Sequence, residues 1–154
     1  MNTTSVVFTV DSASPTVNLT YPINGTTYSI NVSALNYTIT ELGGSCWYSN
    51  SSGVWNSTTQ SAGTNWTGVT SIEGSNNWTV YCNDTSNNMN YSYVTFTKDT
   101  IGAVLTITNP VNNSNFNVSS LGFNISSSEN LSWCGLSINN DVNVTMTINA
   151  SLTG

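Results

Sequence analysis

The chain has 154 residues, of which only 5% are charged, and it carries a formal net charge of −6 with one basic side chain, Lys98, and no histidine. So few cations exclude the Lys/Arg clusters by which proteins hold nucleic acid or anionic membranes. The missing imidazole excludes Ser-His and Cys-His nucleophile pairs and histidine metal ligands.

Asn, Ser and Thr number 25, 24 and 24, nearly half the chain. A composition this polar borders on disorder, but 10% aromatic content and a regular alternation give each segment a face to bury. Residues 5–10 alternate, with Val6, Phe8 and Val10 on one side, and read as a strand. Asp11 to Pro15 is a short linker, and Pro15 fixes the entry to the next strand. There Val17, Leu19 and Tyr21 alternate until Pro22-Ile23-Asn24-Gly25 makes a turn. Leu35, Tyr37 and Ile39 form the inward face of the following strand, and Gly43-Gly44 breaks it before Cys46-Trp47-Tyr48. Residues 50–65 read as short edge strands and loops, and Glu73 to Asn76 as a turn. Trp78, Val80 and Cys82 then alternate with Thr79, Tyr81 and Asn83 in what reads as the central strand. After a turn at 83–88, Tyr91, Tyr93 or Val94 through Phe96 close the series. About seven short strands with no helical period predict an all-β, antiparallel β-sandwich.

The pattern then restarts. Residues 1–10 match 89–98 at an offset of 88, and at the same offset Asp11 falls on Asp99, Leu19 on Ile107, Pro22 on Pro110, Tyr28 on Phe116 and Cys46 on Cys134. With a two-residue gap, Leu35, Tyr37 and Ile39 lie over Leu121, Phe123 and Ile125, and Trp66-Thr67-Gly68 over Leu152-Thr153-Gly154. This is the signature of a tandem array. The expected division is 1–10 as the last strand of a preceding repeat or a donor strand, 11–98 as a complete repeat, and 99–154 as a partial second repeat. The counterpart of residues 69–88, with the Cys82 strand, would fall after Gly154. Either the polypeptide continues or a neighbouring copy supplies the strand by donor-strand completion.

Bridged, Cys46 and Cys82 would pin the 36-residue span between them; the alternative is two buried free thiols. Cys134 lacks a partner in either case. Met1 precedes no basic or apolar leader segment, and no apolar run is long enough to span a membrane. A disulfide points to an oxidising, extracellular compartment.

The stretches 14–25 (Ser-Pro-Thr-Val-Asn-Leu-Thr-Tyr-Pro-Ile-Asn-Gly), Glu73-Gly74, 78–84 (Trp-Thr-Val-Tyr-Cys-Asn-Asp) and 94–99 (Val-Thr-Phe-Thr-Lys-Asp) resemble the tandem immunoglobulin-like repeats of archaeal and bacterial surface proteins. The resemblance spans nearly the whole chain and implies spacers, adhesive stalks or filament subunits. It departs from antibody-type domains in one respect. Cys46 stands beside Trp47 on a strand expected to neighbour that of Cys82, so the bridge would lie within one sheet. A cross-strand bridge is allowed at a non-hydrogen-bonded pair.

Asn-x-Ser/Thr sequons begin at Asn2, Asn18, Asn24, Asn31, Asn36, Asn50, Asn56, Asn65, Asn77, Asn83, Asn90, Asn112, Asn117, Asn124, Asn130, Asn143 and Asn149, 17 in all. Composition alone would give about 8. An Asn/Thr outer strand face generates sequons without selection, because i and i+2 share a side. Yet Lys and Glu are nearly absent, and covalent N-glycans would supply the missing solubility. No other cofactor and no metal is expected. Asp11, Asp84 and Asp99 stand at linkers or turns where calcium could bind, but solvated carboxylates are the commoner case. Glu41, Glu73 and Asp84 are too scattered in sequence to nominate as a glycosidase pair. Trp47, Trp55 and Trp66 either stack on sugar or pack in the core, and packing is favoured. The expectation is a non-catalytic, extracellular, glycosylated stalk or filament subunit. A carbohydrate-binding module, or an accessory domain of a surface hydrolase, is the alternative.

Overall fold

Two ten-residue strands, β7 (Gly74–Asn83) and β8 (Met89–Lys98), pair antiparallel along their whole length and form the spine of the first unit. They belong to a computed structural model in which residues 3–50 and 55–148 are described. Among the described residues every regular element is a strand. The chain divides into two compact units, Met1–Thr100 and Ile101–Gly154.

In the first unit β1 (Val17–Tyr21), β3 (Ala34–Ile39) and β6 (Trp66–Thr67) make one sheet in the order β1-β3-β6. The other sheet runs β2-β8-β7-β4-β5, adding β2 (Thr27–Tyr28), β4 (Ser45–Ser49) and β5 (Gln60–Ser61). All pairings are antiparallel except β2 with β8, which is parallel. The expected alternation is realised: Val17, Leu35, Tyr37, Trp78, Val80, Cys82, Val94 and Phe96 are buried in one cluster. Complete burial of a side chain such as Leu35 is worth about 1.5–3 kcal/mol. Within the core Phe96 meets Trp78 and Tyr28 edge-on, at 4.9 and 5.7 Å between ring centroids.

Two features of this unit differ from the sequence reading. The central strand begins at Gly74, not after Asn76. Gly74 enters it at φ 82°, a left-handed value that only glycine adopts cheaply. Asn76 turns inward and ties down the preceding bend: its Oδ1 accepts from Ile72 N and its Nδ2 donates to Ile72 O and Gly74 O. Residues 5–10, read as a strand, lie outside every strand of the chain, and Val6, Phe8 and Val10 are each about four-fifths exposed (87%, 79% and 80%). The linker that follows is fastened. Asn88 Nδ2 donates to Asp11 O, and Asn90 Nδ2 to Pro15 O, at 3.1 and 2.9 Å.

The second unit begins with β9 (Leu105–Asn109), antiparallel to β10 (Asn124–Ser127). Each of its pairs falls 88 residues after one in the first unit. Leu105↔Ser127 follows Val17↔Ile39, Thr106↔Ser126 follows Asn18↔Thr38, Ile107↔Ile125 follows Leu19↔Tyr37, and Asn109↔Asn124 follows Tyr21↔Asn36. The irregularity before the last pair recurs as well. At the far end of the ladder Thr16 N donates to Thr40 Oγ1 at 2.9 Å and Thr40 N to Thr16 O at 3.2 Å. Val104 N donates to Ser128 Oγ and Ser128 N to Val104 O, at 2.9 and 3.0 Å. The turns agree too, with Thr26 N on Ile23 O and Ser114 N on Val111 O. Tyr21–Pro22 and Asn109–Pro110 are both cis.

This ladder removes the two-residue gap of the sequence alignment: Leu121 is not the counterpart of Leu35, and Ile125 stands where Tyr37 does. A slip of two leaves every side chain on its own face, so hydrophobic alternation could not reveal the error. Beyond β10, β11 (Gly135–Leu136) and β12 (Val144–Thr145) form a hairpin. Asn139 and Asn140 have φ of 55° and 63°, and Asp141 N bonds Ile138 O at 3.0 Å, as an Asn-Asn turn of the mirror-image type requires. Cys134 is the one buried residue in the second unit among those described.

Candidate functional site

Cys46 and Cys82 are directly opposed on β4 and β7 and joined by a disulfide with their Cα atoms 4.1 Å apart. The bridge is fully buried and lies within one sheet, as the sequence suggested. Gly44 lets β4 close on β7 here. A Cβ at that position would stand 1.8 Å from Asn83 O. Cys134, 88 residues after Cys46, is free, with its Sγ 3.9 Å from Met146 Sδ.

On the opposite face of the same sheet Trp47, Tyr81 and Tyr91 fall in register across β4, β7 and β8. Trp47 and Tyr81 are stacked, 5.6 Å apart and 12° from coplanar, and Tyr81 leans on Tyr91 at 5.7 Å. The stacking covers one face of each ring, and both residues are half-buried. Trp66 is buried, stacked on Tyr37 at 5.4 Å and edge-on to Tyr48 at 5.3 Å. Trp55 is half exposed and meets Tyr48 edge-on. The three tryptophans therefore do not form a common platform.

The sequon asparagines fall into two sets. Asn18, Asn24, Asn31, Asn50, Asn56, Asn65, Asn112, Asn117, Asn124, Asn130 and Asn143 are exposed, while Asn36, Asn77, Asn83 and Asn90 are half-buried; Asn2 and Asn149 lie outside the described residues. Glycosylation takes the amide nitrogen. The bonds made by Asn24, Asn31 and Asn65 run through Oδ1, which accepts from Thr95 N, Ser71 N and Tyr37 N respectively. Asn90 instead commits Nδ2 to Pro15 O. The sequence could not distinguish these roles, because both kinds of asparagine sit in the same three-residue motif.

Folding gathers carboxylates that are distant in the chain. Asp11, Glu41 and Asp84 bring oxygens within 4.8 Å of one another, which corrects the impression that Glu41 and Asp84 are scattered; Asp99 is not among them. The spacing suits a hard cation, but the oxygens of Asp84 already hold the β7–β8 turn. Oδ1 accepts from Ser86 N and Asn88 N at 2.8 and 2.9 Å, and Oδ2 from Asn88 Nδ2 at 2.8 Å. The Asn88 side chain leads in holding the Asp84 pKa below its usual value, followed by the Asn88 and Ser86 backbone. Glu73, at the other end of the sheet, accepts from Thr100 N and Oγ1 and lies 3.7 Å from Lys98 Nζ. These contacts, Thr100 N foremost, lower its pKa as well.

The second unit has an open groove of about 440 Å³ beside β9, lined by residues that include Ile107, Pro110, Asn112, Asn113, Phe116 and Leu121. Ile107 and Phe116 are exposed there, and Leu105 is exposed on the same strand as Ile107, whereas Val17, Leu19 and Tyr28, 88 residues earlier, pack in or against the core of the first unit. No sequence signal marked this groove apart from the 88-residue offset between apolar positions. Compared with protein families, curated proteins and solved structures, the chain matches none. No described helix is long and apolar enough to cross a membrane.

Proposed function

We propose that the chain is a non-catalytic structural protein of the cell exterior, built from tandem immunoglobulin-like β-sandwich units and carrying N-glycans, and that it serves as a stalk or filament subunit. The observation that carries this reading is the strand pairing that recurs at a constant 88 residues, hydrogen bond for hydrogen bond, between β1–β3 and β9–β10. A repeated fold with no cofactor-binding motif and no histidine is suited to setting distance, not to turnover.

The immunoglobulin-like assignment draws support from the order of strands. A three-stranded sheet faces a sheet in which a short second strand runs parallel to the last, whereas the bridge within one sheet departs from the antibody type. Extracellular placement draws support from the buried disulfide. Partners would be neighbouring repeats or copies of the chain. The carbohydrate-binding alternative loses ground because Trp66 is buried in the core and Trp47, Trp55 and Trp66 form no common platform. The test is intact mass of the protein from its native surface, before and after chemical deglycosylation. A loss of mass equal to several glycans is expected, and an unchanged mass removes the glycoprotein reading.

A further inference from the structure

Where β1 of one sheet passes β8 of the other, the first unit has an open cleft of about 270 Å³, lined by residues that include Asn18, Leu19, Pro22, Ile23, Asn24 and Tyr93. Alternation along β8 turns Val94 and Phe96 into the core and leaves Tyr93 on the outside, 62% exposed. Tyr81 and Tyr91 lean on each other, but Tyr93 has no ring partner among the described residues. Two sequons open on this cleft, at Asn18 and Asn24, and the fold treats them differently. Asn24 Oδ1 accepts from Thr95 N at 2.9 Å and from Thr95 Oγ1 at 3.2 Å, and Gly25 N donates to Thr95 O at 2.7 Å. The Asn24 carboxamide is thus clamped beside β8, two residues from Tyr93, a step of about 7 Å along an extended strand. Its Nδ2 takes no part in those bonds. No described hydrogen bond fixes the side chain of Asn18, whose main-chain O accepts from Thr38 Oγ1.

We propose that Asn24 is a glycosylated position and that the first sugar of its chain lies in this cleft, with its C–H face on the ring of Tyr93. This rests on the glycoprotein reading given above and names the surface that one glycan covers. The bond forms between Nδ2 and the anomeric carbon of a phosphate-activated sugar donor. The C–O bond to the phosphate breaks, the phosphate leaves with its electron pair, and the amide gives up one proton. Oδ1 is untouched, so both of its bonds to Thr95 survive the modification. The cleft lies below the range of about 300–1,000 Å³ that takes a drug-sized ligand, and it suits a single sugar ring. A sugar tethered at the rim reaches the tyrosine without the cost of association, which makes a weak ring contact sufficient.

The test is nitration of the native-host protein with tetranitromethane, read at Tyr93 by peptide mass with Tyr91, 57% exposed, as the internal reference. Thr26→Ala removes the sequon but keeps Asn24, its bonds to Thr95 and the main-chain bond from Thr97 N to Thr26 O. Glycopeptides of the wild-type chain are expected to carry sugar on Asn24. The ratio of Tyr93 to Tyr91 nitration should rise severalfold in Thr26→Ala, return to the wild-type value in Thr26→Ser, which restores the sequon, and stay unchanged in Asn18→Gln. A bare Asn24 beside occupied sequons elsewhere, a ratio that Thr26→Ala does not move, or a rise in Asn18→Gln overturns the proposal. Those outcomes leave the glycoprotein reading standing, since it is decided separately by the total mass shift on deglycosylation. Absence of sugar from every sequon overturns both.

Discussion

Trp47 and Tyr81 lie face to face on neighbouring strands, 5.6 Å apart and within 12° of parallel. Such a pair adds about 0.5–1.5 kcal/mol beyond the area it buries. Trp47→Ala should therefore lower the unfolding free energy by at least about 1 kcal/mol. Soluble polysaccharides should leave the tryptophan fluorescence of the wild-type chain unchanged. A saturable spectral shift would restore the carbohydrate-binding reading.

The Cys46–Cys82 bridge closes a span of 36 residues through the middle of the sheet. In the chain-entropy model such a loop contributes about 3–4 kcal/mol by restricting the unfolded chain. Cys46→Ala with Cys82→Ala should lower the unfolding free energy, measured by urea titration, by that amount or more. Reductant should have little effect on the folded protein until it opens, because both sulfurs are fully buried. Rapid reduction under native conditions would contradict this packing.

Leu35 and Phe123 occupy corresponding places 88 residues apart, but Leu35 is fully buried while Phe123 is half-buried. Leu35→Ala should cost about 2–5 kcal/mol. Phe123→Ala should cost clearly less in dilute, monomeric protein. Equal losses, measured by chemical denaturation, would show that the second unit is as well covered as the first.

Acid should loosen the two ends of the long sheet. Asp84 and Glu73 both have folded pKa values lowered by the hydrogen bonds they accept, Asp84 chiefly from the Asn88 side chain and Glu73 chiefly from Thr100 N. Their contribution is complete above the unfolded carboxylate range near pH 4 and is lost as the pH falls through the lowered folded values. Stability measured from pH 6 down to 2 should therefore decline in the acid limb. In Asp84→Asn, which is less stable at neutral pH, that decline should be shallower. A parallel pH profile in wild type and variant would rule out the assignment.

Occupancy of the sequons should follow the amide nitrogens. Glycopeptides from native material are expected to carry sugar at exposed positions such as Asn18 and Asn24 and to be bare at Asn90, whose Nδ2 is bonded to Pro15 O. Full occupancy at Asn90 would mean that the linker is fastened some other way.

Much of the first unit was legible because its long strands keep strict alternation. Val17 to Tyr21, Leu35 to Ile39 and Trp78 to Cys82 have their apolar sides inward, and the two cysteines face one another. What escaped notice lies where periodicity gives out. Val32 and Val69 are buried in connections, and Val32 is held there by Ser71, whose Oγ accepts from Val32 N while Asn31 Oδ1 accepts from Ser71 N. No short-range pattern relates positions 31 and 71. The groove beside β9 was equally silent in the sequence, since a residue such as Phe116 reads as core whether or not anything covers it.

The asparagine side chains that grip the backbone, at positions 31, 65, 76, 83 and 88, have a consequence for the medium in which the protein can work. With one cation in the chain, Lys98 beside Glu73 is the sole side-chain ion pair among the described residues, and it sits near the surface. Dissolved electrolyte weakens charge–charge attraction but leaves neutral amide bonds and a covalent bridge untouched. It also screens the mutual repulsion of the carboxylates. The fabric should hold as firmly in concentrated brine as in fresh water.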